Sequence, residues 1–194
     1  MMRLILIAIG LSSAIVSPAF AHIIPGTTAS FSAGIAHPFS GLDHITVMLA
    51  VGLWAGLQGG RALWVWPGTF VGVMLIGGVL GMGHVTLPFV EPGILASVVA
   101  LGLMVAMAVK LPIVVGAAII GAFALLHGHA HGSELAQTVN SLEYMIGFAV
   151  ATAGLHALGV VVALTLQLVA LRSAVRLAGV ACIVVGIGLF GGVL

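Results

Sequence analysis

Charge is what this sequence has least of. Aspartate, glutamate, lysine and arginine make up 5% of its 194 residues, against about 25% in an average soluble domain, and the formal net charge is +1. So little charge excludes both a solubilising surface and an electrostatic footprint for nucleic acid. Cysteine occurs once, as Cys182 in an apolar segment, which rules out an internal disulfide and any cysteine-built metal cage. No G-x-x-x-x-G-K-[ST] stretch is present, so the chain brings no ATP motor of its own. What is there is apolar: 62% of the residues are hydrophobic and the mean hydropathy is +1.36. That composition predicts an all-α integral membrane protein with the lipid bilayer as its solvent.

The opening "MMRLILIAIGLSSAIVSPAFA" has a positive Arg3, an apolar run from Leu4 to Val16 and Ala19-Phe20-Ala21 at its end. This is the anatomy of a secretory signal peptide over 1–21, cleaved to leave a domain of residues 22–194 that starts at His22 outside the membrane. A free amine beside the His22 imidazole is a candidate chelate for a divalent metal. Downstream, "QGGR", "TLPFVEPG", "KLP", the histidine-rich stretch through "SELAQTVN", and "RSAVR" punctuate the apolar chain. They divide it into six lengths for crossing the membrane, 28–57, 62–83, 93–109, 111–130, 141–171 and 173–194, and hence a six-transmembrane-helix bundle. With His22 outside, Arg61, Lys110, Arg172 and Arg176 all fall on the cytoplasmic side, as the positive-inside rule requires. Glu91, Glu134, Glu143, His84 and most of the other histidines fall on the outer side. Glycines recur in small-xxx-small pairs, Gly52 with Gly56 and Gly60, Gly68 with Gly72, Gly77 with Gly81 and Gly188 with Gly192. Such pairs let helices approach closely in lipid and permit a homo-oligomer.

Against this apolar background, titratable groups gather in two places. "AHPFSGLDHITVML" carries His37, Asp43 and His44, and Pro38 predicts a break in the helix at His37, with regular helix resuming near Ser40. Two roles are open to Asp43. It can close a capping box with Ser40, as Glu143 can with Asn140, or it can join His37 and His44 as a metal ligand, with Met48 one turn beyond. An ionised side chain inside a membrane costs about 2.5–3.5 kcal/mol at a helix centre, which favours groups that have a partner or line a polar path. "LLHGHAHGSE" carries the second group of candidate metal ligands, His127, His129, His131 and Glu134: in a continuous helix His127, His131 and Glu134 share a face and His129 points elsewhere. Gly128 and Gly132 leave a helix break open there. His156, on the fifth segment, is either a hydrogen-bonded core histidine or a residue bordering the path. Imidazole and carboxylate suit nickel, zinc, copper and iron alike.

"HPFSGLDH" followed by "HGHAHGSE" resembles the HupE/UreJ family of membrane nickel permeases, and the resemblance covers essentially the whole chain. His37, Pro38, Gly41, Asp43 and His44 match its first motif, and His127, Gly128, Ala130, His131, Gly132 and Glu134 its second, while Leu126 stands where the family carries an aromatic. The resemblance implies a non-enzymatic secondary permease that takes up Ni²⁺, with Co²⁺ as a second substrate, for a nickel enzyme such as hydrogenase or urease. It implies a multi-pass protein of the bacterial inner membrane in which the metal is cargo and not a prosthetic group. The residues by themselves leave a rival open: an intramembrane zinc-dependent hydrolase whose His and Asp ligands activate bound water. A haem protein with paired axial histidines is a third reading, which predicts a Soret band.

Overall fold

Hydrocarbon offers no partner to backbone N–H and C=O groups, so an apolar chain of this kind must satisfy them within helices. The computed structural model describes residues 28–135 and 140–193, and the regular elements among them are all helical. They are α1 (Thr28–Ala36), a 3-10 turn (His37–Phe39), α2 (Leu42–Gln58), α3 (Ala62–Met82), α4 (Val90–Ala106), α5 (Ile113–Glu134), α6 (Ser141–Leu168) and α7 (Arg172–Phe190). The expected signal peptide and His22 lie outside the described residues.

The first expected span is broken. α1 and α2 meet at 79°, because Pro38 stands in the 3-10 turn between them and cannot donate to a continuing helix. Four helices, α3, α5, α6 and α7, are long and apolar enough to cross a membrane, and the bent pair makes a fifth if it counts as one span. α4, at 17 residues, is shorter and begins at Val90, ahead of the expected start at Gly93 and with Pro92 in its first turn. α5 runs through Gly128 and Gly132 to Glu134 without the break those glycines allowed.

The reason is packing. α5 lies along α3 as the most extensive helix pair, and α2 packs on α6, α4 on α7, and α1 on α6. A Cβ on Gly128 would strike the Met74 carbonyl oxygen, and one on Gly132 the Gly78 carbonyl oxygen; from the other side Gly77 and Gly81 meet the backbone of Leu125 and His129. This glycine-on-glycine seam brings two backbones together without side chains between them. Gly68 and Gly72, by contrast, face open space. The interior is filled by Met48, Trp54, Trp66, Phe70, Met74, Leu101 and Phe148, all fully buried, whereas Val114 and Leu168 are among the large apolar side chains left outside. Helices apolar all round are what lipid on the outer face requires.

The two ends differ in charge as expected. Asp43, Glu91 and Glu143 stand in the first turns of α2, α4 and α6, and Glu134 closes α5. At the opposite end, Arg61 precedes α3, Lys110 precedes α5, and Arg172 and Arg176 open α7. His84 was expected simply at the outer mouth. It is exposed and closes α3 with a positive φ of 54°, with its own N–H on the Gly81 carbonyl oxygen and that of Val85 on the Leu80 carbonyl oxygen. Ala108 and Ala170 close α4 and α6 in the same way. This is a Schellman cap built without the usual glycine.

Candidate metal centre

Gly41 sets the first side of the centre. Its extended backbone starts α2 with no side-chain cap, and a Cβ there would come within 2.5 Å of Asp43 Oδ1 and 2.8 Å of His44 Nδ1. The absence of that atom lets both side chains fold back over the helix start. Of the two roles open to Asp43, the capping box with Ser40 does not form: the Ser40 hydroxyl donates to the His37 carbonyl oxygen at 2.6 Å. Asp43 instead accepts from His44 Nδ1 at 2.7 Å. A carboxylate on Nδ1 fixes the ring and leaves Nε2 to bind, the arrangement typical of metal-ligating histidines.

α5 supplies the second side. Because it stays helical, His127 and His131 lie one turn apart on the face turned inward, and both are buried. His44 Nε2 faces His131 Nε2, and the His44 ring centroid is 4.5 Å from that of His131 and 5.3 Å from that of His127. Ligand atoms of His44, His127 and His131 all lie within 4.8 Å of one another, as do those of His37, His131 and Glu134. His131 belongs to both triads. The first is nearly enclosed, while the second opens outward through Glu134, which is exposed. The ring of His37 sits 4.6 Å from that of His131 and 5.8 Å from those of Tyr144 and Phe148. Aromatic rings on α6 thus wall the outer triad.

Among the described residues the bonding capacity of these rings is not used up. Nδ1 of His127 and of His131 is buried without a hydrogen-bond partner among the described residues. Two imidazole Nε2 atoms facing each other are satisfied together by one proton or one cation between them. Buried polar atoms left without a partner cost about 1–3 kcal/mol each, so these nitrogens have capacity for a partner beyond the described residues.

Other histidines stand apart. His129 faces away, as its spacing predicted, and its Nε2 lies 2.6 Å from the Val85 carbonyl oxygen. His156 is fully buried and its Nδ1 donates to the Met48 carbonyl oxygen at 2.7 Å, as a core histidine would. Its Nε2 nevertheless has no partner among the described residues. The Phe70 ring separates His156 from the triad, 4.9 Å from His156 and 5.8 Å from His127. Glu143 does cap α6 with Asn140: its N–H donates to Asn140 Oδ1 at 3.2 Å. Ser97 had no signal in the sequence. Its hydroxyl, fully buried on α4, lies 3.0 Å from His127 Nε2 and 2.5 Å from the Ile94 carbonyl oxygen. That contact orients the His127 ring from a third helix.

The profile of the family described as HupE / UreJ protein matches residues 8–189 of this chain. Protein HupE of Rhizobium leguminosarum bv. viciae is 49% identical over 149 residues, which are 76% of this chain and 78% of that protein. No solved structure matches.

Proposed function

The chain belongs to the HupE / UreJ protein family, and from that premise we propose that it is a secondary permease for Ni²⁺, with Co²⁺ as a second cargo, serving a nickel enzyme such as hydrogenase or urease. One observation carries the reading: two donor triads, one open and one nearly enclosed, share His131. An ion caught by Glu134, His37 and His131 passes to His44 and His127 by exchanging the other ligands while His131 holds it through that step. Asp43 holds His44 in the binding tautomer and lends negative charge to a dication. His156 lies inward of Phe70 as the next imidazole on the path, and His129 stays off it.

In this reading all six segments cross the inner membrane, the bent α1–α2 pair and α4 included. The basic end then faces the cytoplasm. A membrane potential negative inside supplies about 2.3 kcal/mol per charge per 100 mV, and so about twice that for a dication, without ATP.

The test is uptake of labelled Ni²⁺ by cells lacking other nickel importers, with the chain and its Asp43→Asn and His44→Ala variants at equal membrane abundance. The expected result is accumulation by the parent and a loss of tenfold or more in both variants, the scale of ligand and carboxylate-partner losses in metal sites. A parent that accumulates no nickel and retains tightly bound zinc through purification would replace the permease with the hydrolase.

A further inference from the structure

Among the described residues the cations at the basic end have no carboxylate partner. The chain has four acidic residues, and Asp43, Glu91, Glu134 and Glu143 all stand at the histidine end. At the other end Lys110, Arg172 and Arg176 line one cavity of about 240 Å³ with Leu57, Ala108 and Gln167. A neighbouring cleft of about 590 Å³ shares Lys110, Arg172 and Gln167 and continues along Leu164 and Leu168.

The polar contacts here do not neutralise that charge. Lys110 Nζ donates to the carbonyl oxygens of Leu57 and Gln58, and Arg176 Nε donates to that of Ala106 at 2.7 Å. Gln167 Nε2 is spent on Gly56 and Ala163. Carbonyl dipoles hold these groups in place but carry no net charge. Burial, and then the like charge of Arg172, push the Lys110 ammonium below its ordinary value. Three cations around the smaller cavity, two of them shared with the larger cleft, favour an anion, and arginine's fork suits phosphate oxygens in particular.

The apolar wall narrows the class. Leu164 and Leu168 are 38% and 86% exposed on the membrane-facing side of α6, next to the cations. A free phosphate has no use for such a wall, whereas an acyl chain would lie along it. We propose that these adjoining cavities seat an anionic phospholipid, its headgroup phosphate gripped by Lys110, Arg172 and Arg176 in the smaller and an acyl chain against Leu164 and Leu168 in the larger. Basic pockets between helices at the cytoplasmic face are suited to such headgroups. The bound lipid would tie α7 to the connection between α4 and α5 and supply the negative charge this end lacks.

The experiment is native mass spectrometry of the full chain in a neutral detergent, titrated separately with dioleoylphosphatidylglycerol, dioleoylphosphatidylcholine and inorganic phosphate. Phosphatidylglycerol is expected to be retained as one saturable adduct. Lys110→Gln, Arg172→Gln and Arg176→Gln should each weaken it about fivefold, the equivalent of about 1 kcal/mol per cation. Arg61→Gln removes a charge from the same end but from neither cavity, and should change retention less than twofold. Arg172→Lys keeps the charge that orients the chain, so it separates a lost site from a misinserted protein; it should retain more lipid than Arg172→Gln. Equal retention of phosphatidylcholine, or an equal loss in Arg61→Gln, would overturn the site in favour of diffuse attraction. Displacement of the lipid by inorganic phosphate at matching concentration would overturn the lipid in favour of a free anion.

Discussion

The two ends of the bundle use their polar groups in opposite ways. At the basic end donors are spent on backbone: the Trp54 and Trp66 indoles reach the Val109 and Ile113 carbonyl oxygens at 2.9 and 3.0 Å, and the Gln58 amide reaches that of Leu111 at 3.0 Å. Toward the other end, Nδ1 of His127, His129 and His131 and Nε2 of His156 are buried without a hydrogen-bond partner among the described residues. A protein optimised only for stability would have paired them. One end fastens helix to helix through its donors, while the other leaves imidazole nitrogens over, and the permease proposed above rests on that surplus in His127 and His131.

The largest expected effect falls where the two triads meet. His131→Ala removes a donor from both, so Ni²⁺ uptake should drop at least as far as in His44→Ala, tenfold or more. His129→Ala, two residues along the same helix, should leave uptake within twofold. Equal losses in His129→Ala and His131→Ala would erase the distinction between path and scaffold. Gly128→Ala probes the seam that aims the α5 histidines. Its methyl group meets the Met74 backbone, which cannot move aside as a side chain can, so overpacking should cost about 1–3 kcal/mol. A lower melting temperature together with lost uptake would be read in one detergent-solubilised sample and one cell assay.

The basic end should respond differently. Trp54→Phe deletes the indole bond to Val109 and should destabilise by about 1 kcal/mol with nickel affinity unchanged, a split that calorimetry and metal titration together resolve. The smallest effect has the opposite sign. Ala108→Gly relieves a left-handed alanine of φ 50° and should stabilise by up to about 1 kcal/mol, seen as a raised melting temperature.

The sequence disclosed whatever is local. The Pro38 break, the shared face of His127 and His131, and the Asn140–Glu143 cap each follow from residues within one or two turns, and the separation of charge follows from counting segments. It did not disclose what depends on packing between segments. Gly128 and Gly132 read equally as breakers or as contact points, and only the closeness of Met74 and Gly78 decides between them. Ser40 looked like the cap for α2 because nothing in "SGLDH" shows that Asp43 turns to His44 instead. Ser97 and Phe70 lie on helices that are apolar all round, where no periodicity marks an inward face. His84, Ala108 and Ala170 close helices in a conformation that usually signals itself with glycine.

The most direct measurement is nickel K-edge X-ray absorption on the purified chain loaded with Ni²⁺, alongside His131→Ala loaded identically. A shared triad predicts at least two imidazoles in the parent's scattering shell and fewer in the variant, with weaker retention of the metal. An oxygen-only shell in the parent, or an imidazole count unchanged by losing His131, would contradict a cation site built where α2 and α5 meet.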